Sequence, residues 1–406
     1  MTDAAPGASP GEPRYGWVVV WACFACLAIV FGAAYSFAAF FESFAREFEA
    51  QRADVSVVFG LSGLTYFLLG AGAGVLGDRF GPRAVSVAGM LCIAGGLFAA
   101  SFAQSLHALY VAYGFGIGVG VALVYTPSIG AVQPWFSRRR GLASGIASAG
   151  IGAGTLVIPL VASFAIAAWG WRDAMRAIAL LSLALGLAAA LLLRRRPAAA
   201  GLDAAATGVS LSQAMRTSRF WWLYLSIAVS SVAMFTPFAH VTPSARDLGI
   251  AESQAVGLVG VIGIGSLVGR FVISALADRL GRLLTLIVLQ LAMAAAYIVW
   301  QLAAGYAALF AFALLFGLAY GGIVALLPAI ATDLFGHRAV SGIIGTLYSG
   351  AAFGNLLGPV GAGAAFDRFG SYAAVQWTCI AICALAAYAA ARVAGGAPIG
   401  VTVPGR

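Results

Sequence analysis

Long apolar segments recur along the whole of this 406-residue chain. We count twelve such segments, and each is long enough to cross roughly 30 Å of hydrocarbon as an α-helix at about 1.5 Å per residue. Hydrophobic residues make up 62% of the chain and charged residues only 9%, a composition outside the range of soluble domains. The pattern therefore predicts an all-α integral membrane protein with spans at 17–40, 55–77, 83–102, 108–135, 141–168, 171–193, 220–241, 255–277, 283–302, 306–331, 340–366 and 372–391.

One longer polar connection, residues 194–218, divides these spans into two sets of six. We expect a tail (1–14), an N-terminal six-helix bundle (15–193), a linker (194–218), a C-terminal six-helix bundle (219–392) and a second tail (393–406). With the N-terminus inside, 16 of the 23 arginines fall on the cytoplasmic side, so the positive-inside rule predicts that both termini are cytoplasmic. The net charge of +9 then reflects orientation and requires no nucleic-acid partner.

An internal repeat with an offset of 200 residues relates the two sets of spans. Residues 74–83 read GVLGDRFGPR and residues 274–283 read SALADRLGRL, and the same offset relates Pro159 to Pro359. A parallel repeat of this kind predicts two pseudo-symmetric six-helix bundles around a central site, as in secondary transporters.

Glycines and prolines are concentrated in some of the predicted spans. The fifth and eleventh spans contain Gly154 and Gly354 among many other glycines, which predicts close helix packing. Three prolines near the predicted bundle centre, Pro127, Pro237 and Pro328, predict breaks in their helices.

Arg270 lies inside the apolar eighth span, where an unpaired charge is costly. The 14 acidic residues all fall in tails, loops or span ends, and the chain contains no lysine. Since a guanidinium offers a planar fork that matches a carboxylate, the missing partner of Arg270 is interpreted as an anionic substrate. The alternative, a buried ion pair, would require an acid at the same depth.

The Asp-Arg loop pattern, repeated in register among twelve spans, resembles the signature of the major facilitator superfamily over essentially the whole chain. Residues 15–19 (YGWVV), 135–146 (WFSRRRGLASGI) and 240–249 (HVTPSARDLG) resemble the monocarboxylate porter and oxalate/formate antiporter group of that superfamily. The resemblance implies that Arg270 holds a substrate carboxylate and that His240 lines the same cavity. Proton-coupled relatives carry an acid at the position of Ser266, and the oxalate exchanger carries a lysine near Ala351.

Further polar residues are candidates for the substrate site or for a gate. Hydrogen-bond donors from other spans are Tyr35, Tyr125, Tyr320, Tyr348 and Asn355, and Ser266 lies one turn before Arg270. Taken alone, each of these is interpreted first as packing, and Tyr125 is the best candidate for a ligand because Pro127 opens the helix beside it. A cytoplasmic latch between the halves is predicted from the repeated loops, with Asp78 and Asp278 pairing with Arg79, Arg83, Arg279 or Arg282. The alternative is that these charges only solvate the turns and anchor topology.

These features predict a secondary active transporter that moves a small organic monocarboxylate by alternating access with proton symport. A monoanion is expected because a single buried cation would leave a dianion half neutralised. Three alternatives remain: an anion exchanger of the oxalate/formate type, a drug or metabolite exporter, which would be expected to place acids in the cavity, and a non-transporting membrane sensor.

No catalytic or metal-binding constellation falls within the predicted spans, so we expect neither an enzyme nor a cofactor. The five cysteines all lie in apolar spans, where thiols pack as small hydrophobic groups. Expected partners are the carboxylate, a proton and membrane lipid, and a monomer is expected to suffice. The arginine-only, alanine-rich composition is typical of a GC-rich bacterial genome and predicts a multi-pass protein of the bacterial plasma membrane.

Overall fold

The computed structural model describes residues 14–136, 140–195, 208–336 and 339–394, and these residues form twelve long helices. The first six are α1 (Tyr15–Glu47), α2 (Arg52–Phe80), α3 (Pro82–Ala100), α4 (Leu106–Val132), α5 (Arg140–Trp169) and α6 (Trp171–Leu192). The second six are α7 (Ser218–Asp247), α8 (Glu252–Leu280), α9 (Arg282–Gln301), α10 (Tyr306–Phe335), α11 (Val340–Phe369) and α12 (Ala373–Ala394).

The described chain has the predicted all-α membrane architecture. Eleven of its helices are long and apolar enough to cross a membrane. The remaining one, α11, has 30 residues and contains Asn355, Pro359 and many glycines. No β-strand forms among the described residues. The predicted all-α membrane class is therefore confirmed.

Several helices extend beyond the spans that hydropathy delimits. The second span, predicted at 55–77, is the helix Arg52–Phe80, and the seventh, predicted at 220–241, is the helix Ser218–Asp247. The extensions are polar, so hydropathy alone misses them. The predicted linker contains a one-turn helix, Leu211–Met215, capped by Ser210. Outside the described residues lie part of that linker, part of the 135–146 motif and most of both tails, at 196–207, 137–139, 1–13 and 395–406.

The sequence repeat is visible in the backbone of equivalent turns. Helix α2 ends at Gly81 with φ of 87°, and α8 ends at Gly281 with φ of 93°. Glycine adopts this left-handed region without the penalty that a Cβ would impose. The two glycines are 200 residues apart, so each half reverses direction in the same way at the same place.

Within each half, glycines allow helices to approach closely. Helix α1 packs against α5, and α7 packs against α11. A Cβ on Gly154 would overlap the carbonyl oxygen of Ala28, and a Cβ on Gly354 would overlap the side chain of Ser231. The predicted close packing at these glycines is confirmed. The two halves meet along two further helix pairs, α2 with α11 and α5 with α8.

The predicted helix breaks at three prolines are wrong. Helices α4, α7 and α10 continue through Pro127, Pro237 and Pro328 respectively. A proline has no amide hydrogen and leaves the carbonyl four residues earlier without its helical partner. For Pro237 that carbonyl belongs to Ala233, and it accepts a hydrogen bond from the hydroxyl of Tyr297 on α9 at 2.7 Å. A neighbouring helix thus satisfies the freed backbone group, and the helix stays intact.

The bundle has two unlike ends. We call the end where α1 begins and α12 ends the terminal end, and the opposite end the distal end. In α2 the segment 55–65 is mostly buried, whereas towards the terminal end Val75 is 67% exposed and Phe80 is 59% exposed. Helix α8 shows the same contrast, with Val272 and Leu280 exposed near the terminal end. Helices α2 and α8, which both belong to the interface between the halves, are therefore more buried towards the distal end than towards the terminal end.

Candidate functional site

A cavity of about 710 Å³, including the solvent in its mouth, lies between the two halves. Its walls are mostly aromatic and aliphatic, and they come from helices of both halves. Such a cavity, with polar side chains set among aromatic and aliphatic ones, is typical of small-molecule sites. The polar side chains of its lining are Tyr35, Tyr66, Tyr125, Ser226, Ser230, Ser231, Arg270, Gln290, Tyr320 and Tyr348.

Arg270 is the single charged residue that the described part of the chain contributes to this lining. It is only 8% exposed, and its Nε donates to the hydroxyl of Ser266 at 3.4 Å, which is a long and weak hydrogen bond. Among the residues that the structure describes, no carboxylate lies within ion-pair distance of its guanidinium. The cation therefore lines the cavity without a carboxylate partner among the described residues.

The four candidate tyrosines surround this cation. Tyr35, Tyr125, Tyr320 and Tyr348 all line the cavity and lie close enough to Arg270 to interact with it electrostatically. The hydroxyls of Tyr35 in α1 and Tyr320 in α10 are 3.1 Å apart, so they form a hydrogen bond between the two halves. The arrangement gives the cavity a cationic centre with a ring of phenol hydroxyls.

Two other candidates lie behind the cavity wall. Ser266 does not line the cavity, but it accepts the hydrogen bond from Arg270 and so orients the guanidinium. Asn355 of α11 directs its amide to the carbonyl oxygens of Phe59 and Gly60 on α2, each at 3.4 Å. Asn355 thus contacts the opposite half and not the cavity. The sequence gives the depth of a residue along its helix, and depth does not separate Ser266 and Asn355 from the residues that face the cavity.

His240 is placed outside the cavity, contrary to the expectation from the resemblance. The side chain is fully buried towards the distal end. Its Nδ1 lies 2.9 Å from the hydroxyl of Tyr372, and its Nε2 lies 2.7 Å from the carbonyl oxygen of Pro359. The Oγ of Ser56, on the other half, lies 3.1 Å from the same Nε2. Both ring nitrogens are therefore engaged within the protein in this conformation.

The histidine belongs to a polar network that joins the halves at the distal end. Arg52, the first residue of α2, binds both carboxylate oxygens of Asp247 on α7, at 2.7 and 2.8 Å. It also donates to the hydroxyl of Tyr372 at 2.7 Å. The carboxylate of Asp367 accepts hydrogen bonds from the amides of Arg52 and Ala53, which places a negative charge at the N-terminus of α2. We call Arg52, His240, Asp247, Asp367 and Tyr372 the distal network.

Donor counting sets the hydrogen positions in the distal network. Arginine has no acceptor, so the oxygen of Tyr372 accepts from Arg52, and its hydrogen is directed to Nδ1 of His240. Tyr372 lies in the loop before α12, where burial raises its pKa and keeps the phenol protonated. Nε2 of His240 then carries the ring hydrogen and donates to the carbonyl of Pro359. The network is satisfied with a neutral imidazole.

Among the described side chains, the contacts of the predicted latch residues lie within one half or reach the linker in this conformation. Asp78 lies 3.8 Å from Arg195 of the linker, and Arg83 donates to the carbonyl of Leu193. Arg282 binds Asp333 at 2.7 Å within the C-terminal half.

The other latch residues sit at the ends of α2 and α8. The guanidinium of Arg79 stacks on the neighbouring Phe80, and Arg279 is exposed. The side chain of Asp278 lies outside what the structure describes. The latch stays a prediction for a state in which the terminal end is closed.

Some site residues were missed by sequence reasoning. Arg52, Asp247 and Tyr372 lie near helix ends, where charged and aromatic residues are common, so nothing distinguished them from topology anchors. Gln290 and Tyr66 line the cavity but carry no charge. Among the described residues, no group of His, Cys, Asp or Glu side chains is arranged to hold a metal ion, and all five cysteines are unpaired by disulfides.

Comparison with known proteins supports the resemblance. A family model described as Major Facilitator Superfamily matches residues 23–300 and 231–399. The chain is 30% identical over 372 residues to monocarboxylate transporter 13 of Bos taurus, covering 90% of this chain and 86% of the relative. It is 31% identical to monocarboxylate transporter 11 of Mus musculus, covering 92% of this chain and 86% of the relative.

A solved structure shows the same fold. This chain superimposes with a TM-score of 0.72 on a bacterial homologue of the human lysosomal transporter Spinster, in an inward-facing and unoccupied conformation. The match has 16% sequence identity and covers 94% of this chain and 97% of the other. The prediction of a transporter, and not an enzyme, is confirmed by the family match. The chain belongs to the major facilitator superfamily and is a membrane transporter related to the monocarboxylate transporters.

Proposed function

We propose that this protein carries a small organic monocarboxylate across the membrane by alternating access, in symport with a proton. The observation that carries the proposal is Arg270, a buried cation in the central cavity with only a weak hydrogen bond to Ser266 and no carboxylate near it among the described residues. An uncompensated charge at this depth is costly, and an anionic ligand would remove that cost.

The lining favours a monoanion. Arg270 is the only charged residue among its described members, and Ala351 lines the cavity near the place where the oxalate exchanger carries a lysine. A carboxylate can accept two parallel hydrogen bonds from one guanidinium, and the surrounding phenols can bind its remaining lone pairs. A second negative charge would face only uncharged side chains among the described lining residues. This argues against a dicarboxylate as the main substrate.

The two ends of the bundle support an alternating mechanism. The distal network closes one end of the cavity, and the helices separate towards the other end. With both termini placed in the cytoplasm, the orientation expected from the arginine distribution, this conformation is open to the cytoplasm. Transport then requires that the distal network opens and that the terminal end closes, where the latch residues would pair.

Substitution of Arg270 tests the proposal. In proteoliposomes, Arg270→Gln should reduce uptake of labelled short monocarboxylates by about 100-fold or more, because a buried charge-assisted pair is lost. Arg270→Lys should retain a weak activity, about tenfold below the wild type, because it keeps the charge but not the fork. The matched control is Arg176→Gln, which changes a half-buried arginine that contacts Asp173, Ser101 and Phe102 within the N-terminal half, away from the cavity. Uptake by Arg270→Gln at the wild-type rate would contradict the proposal.

We place the transported proton on a water bound by the cavity hydroxyls and not on His240. In this conformation His240 is enclosed in the distal network, whereas the hydroxyls of Tyr35 and Tyr320 meet within the cavity and join the two halves. We expect an imposed inward proton gradient to drive accumulation of the carboxylate, and His240→Gln to retain this gradient dependence. Uptake that ignores the gradient would exclude symport and support exchange or uniport.

A further inference from the structure

One part of the central cavity is lined by residues of α7, α9 and α10 in the C-terminal half. We call this part the side pocket. It is lined by Ser226 and Ser230 of α7, Leu286 and Gln290 of α9, and Leu327 of α10. Its polar groups therefore come from two helices of a single half.

The polar residues of the side pocket have apolar equivalents in the N-terminal half, 200 residues earlier. The pairs are Cys26 with Ser226, Val30 with Ser230, and Met90 with Gln290. The three N-terminal residues are fully buried in the hydrophobic core. The two halves therefore share a backbone plan but differ in polarity at these three positions.

Gln290 is the unusual residue of the side pocket. It is 1% exposed, and its Oε1 has no hydrogen-bond partner among the described residues. A buried amide oxygen without a partner loses its hydration and gains nothing in return. Met90 shows that an apolar side chain suits the equivalent place, so packing alone does not explain a glutamine. A ligand group that donates a hydrogen bond would remove this cost.

The neighbouring serines define which chemistry the side pocket accepts. Ser226 donates its hydroxyl hydrogen to the carbonyl of Ala386 at 2.9 Å, and Ser230 donates to the carbonyl of Ile227 at 3.2 Å. Their oxygens therefore remain as acceptors, and the amide of Gln290 supplies both an acceptor and donors. None of the described residues that line the side pocket is charged. These groups match an uncharged hydroxyl or carboxamide.

The side pocket and Arg270 lie at similar depth. Arg270 precedes the end of α8 by ten residues and Gln290 follows the start of α9 by eight, so both are about 12–15 Å from the terminal end. Helices α8 and α9 both pack against α10, and both side chains line the central cavity. A ligand that contacts both must extend across the face of α10, along Tyr320 and Leu327.

We propose that Gln290, with Ser226 and Ser230, forms a second subsite that binds a neutral hydroxyl or carboxamide at the far end of the transported monocarboxylate. This inference rests on the proposed function, because Arg270 would hold the carboxylate. The preferred substrate class is then a short-chain monocarboxylate with a terminal uncharged polar group. A hydroxyl on the carbon next to the carboxylate would lie beside Arg270 and would not reach Gln290.

The test compares three acids of one chain length, pentanoate, 2-hydroxypentanoate and 5-hydroxypentanoate, by calorimetric titration of the purified protein. The wild type should bind 5-hydroxypentanoate about tenfold more tightly than either of the other two acids, the gain expected from satisfying one buried polar group. In Gln290→Met, which installs the residue of the N-terminal half, this ratio should fall to about 1. Gln376→Met, a buried glutamine on α12 outside the central cavity, is the matched control and should keep the wild-type ratio.

The outcomes separate this inference from the proposed function. Equal binding of 5-hydroxypentanoate and pentanoate by the wild type, as expected if the side pocket holds only water, overturns the inference. A tenfold preference that persists in Gln290→Met overturns it as well. Binding of pentanoate by Arg270→Gln as tightly as by the wild type would instead overturn the proposed function.

Discussion

Two arginines at the interface between the halves have opposite surroundings. The side chain of Arg52, 18% exposed, is bound by both oxygens of Asp247 and by Tyr372, and it joins the N-terminal half to the C-terminal half. Arg270 is more deeply buried and has only the long hydrogen bond to Ser266. One charge is neutralised by the fold and closes the distal end. The other has no carboxylate partner among the described residues, and a substrate in the cavity would supply one.

The largest effect on stability should come from the arginine that is paired within the protein. Asp247→Asn leaves Arg52 half-buried with no carboxylate, so we expect the free energy of unfolding to fall by about 1–2 kcal/mol, a value kept small because the pair is partly exposed. Arg270→Gln should leave stability unchanged or raise it, because no described carboxylate loses its partner. Thermal unfolding of the purified variants without ligand measures both.

The control for Asp247→Asn is Asp173→Asn at the same end of the bundle. Asp173 pairs with Arg176 three residues later on an exposed surface, and such pairs contribute about 0–1 kcal/mol. If Arg270→Gln destabilised the protein as much as Asp247→Asn does, the contrast between the two arginines would be lost.

An intermediate effect is expected from the hydroxyl pair between Tyr35 and Tyr320. Tyr35→Phe removes a hydrogen bond that exists while the distal end is closed, at a cost of about 0.5–1.5 kcal/mol. The population with an open distal end should then rise by about 2- to 10-fold. Distances between spin labels at positions 105 and 371, in the distal loops of the two halves, report this population.

Tyr113→Phe is the matched control for Tyr35→Phe. The hydroxyl of Tyr113 donates to the carbonyl of Ala33 within the N-terminal half, so its loss should lower stability without opening the distal end. Equal opening in the two variants would show that the Tyr35 hydroxyl has no special part in holding the halves together.

The smallest effect is expected at Ser266. The hydrogen bond from Arg270 to its hydroxyl is long at 3.4 Å, so Ser266→Ala should weaken carboxylate binding by about threefold or less. Titration with a short monocarboxylate measures the change. A loss as large as that of Arg270→Gln would mean that Ser266 binds the substrate directly.

Arg270 could be recognised from the sequence because its charge is anomalous in its own helix. The same reasoning grouped Ser266, Asn355 and His240 with it, and the structure places all three outside the cavity. A position along a helix gives depth in the membrane, but it does not give the direction of the side chain around the helix axis. Gln290 shows the opposite error, because the sequence did not predict it as a site residue although it lines the cavity. A neutral residue in an apolar span cannot be recognised as a site residue until its surroundings are known.

The sequence by itself determined the number and order of the helices, the repeat and the presence of one deeply placed cation. These follow from local physics, because apolar segments must satisfy their backbone hydrogen bonds internally as helices when they lie in lipid. Only the tertiary structure decided which charges are paired. Arg52 and Asp247 are 195 residues apart, and whether they meet depends on how the two halves pack. The same packing leaves Arg270 without a carboxylate partner among the described residues and makes it the centre of the proposed site.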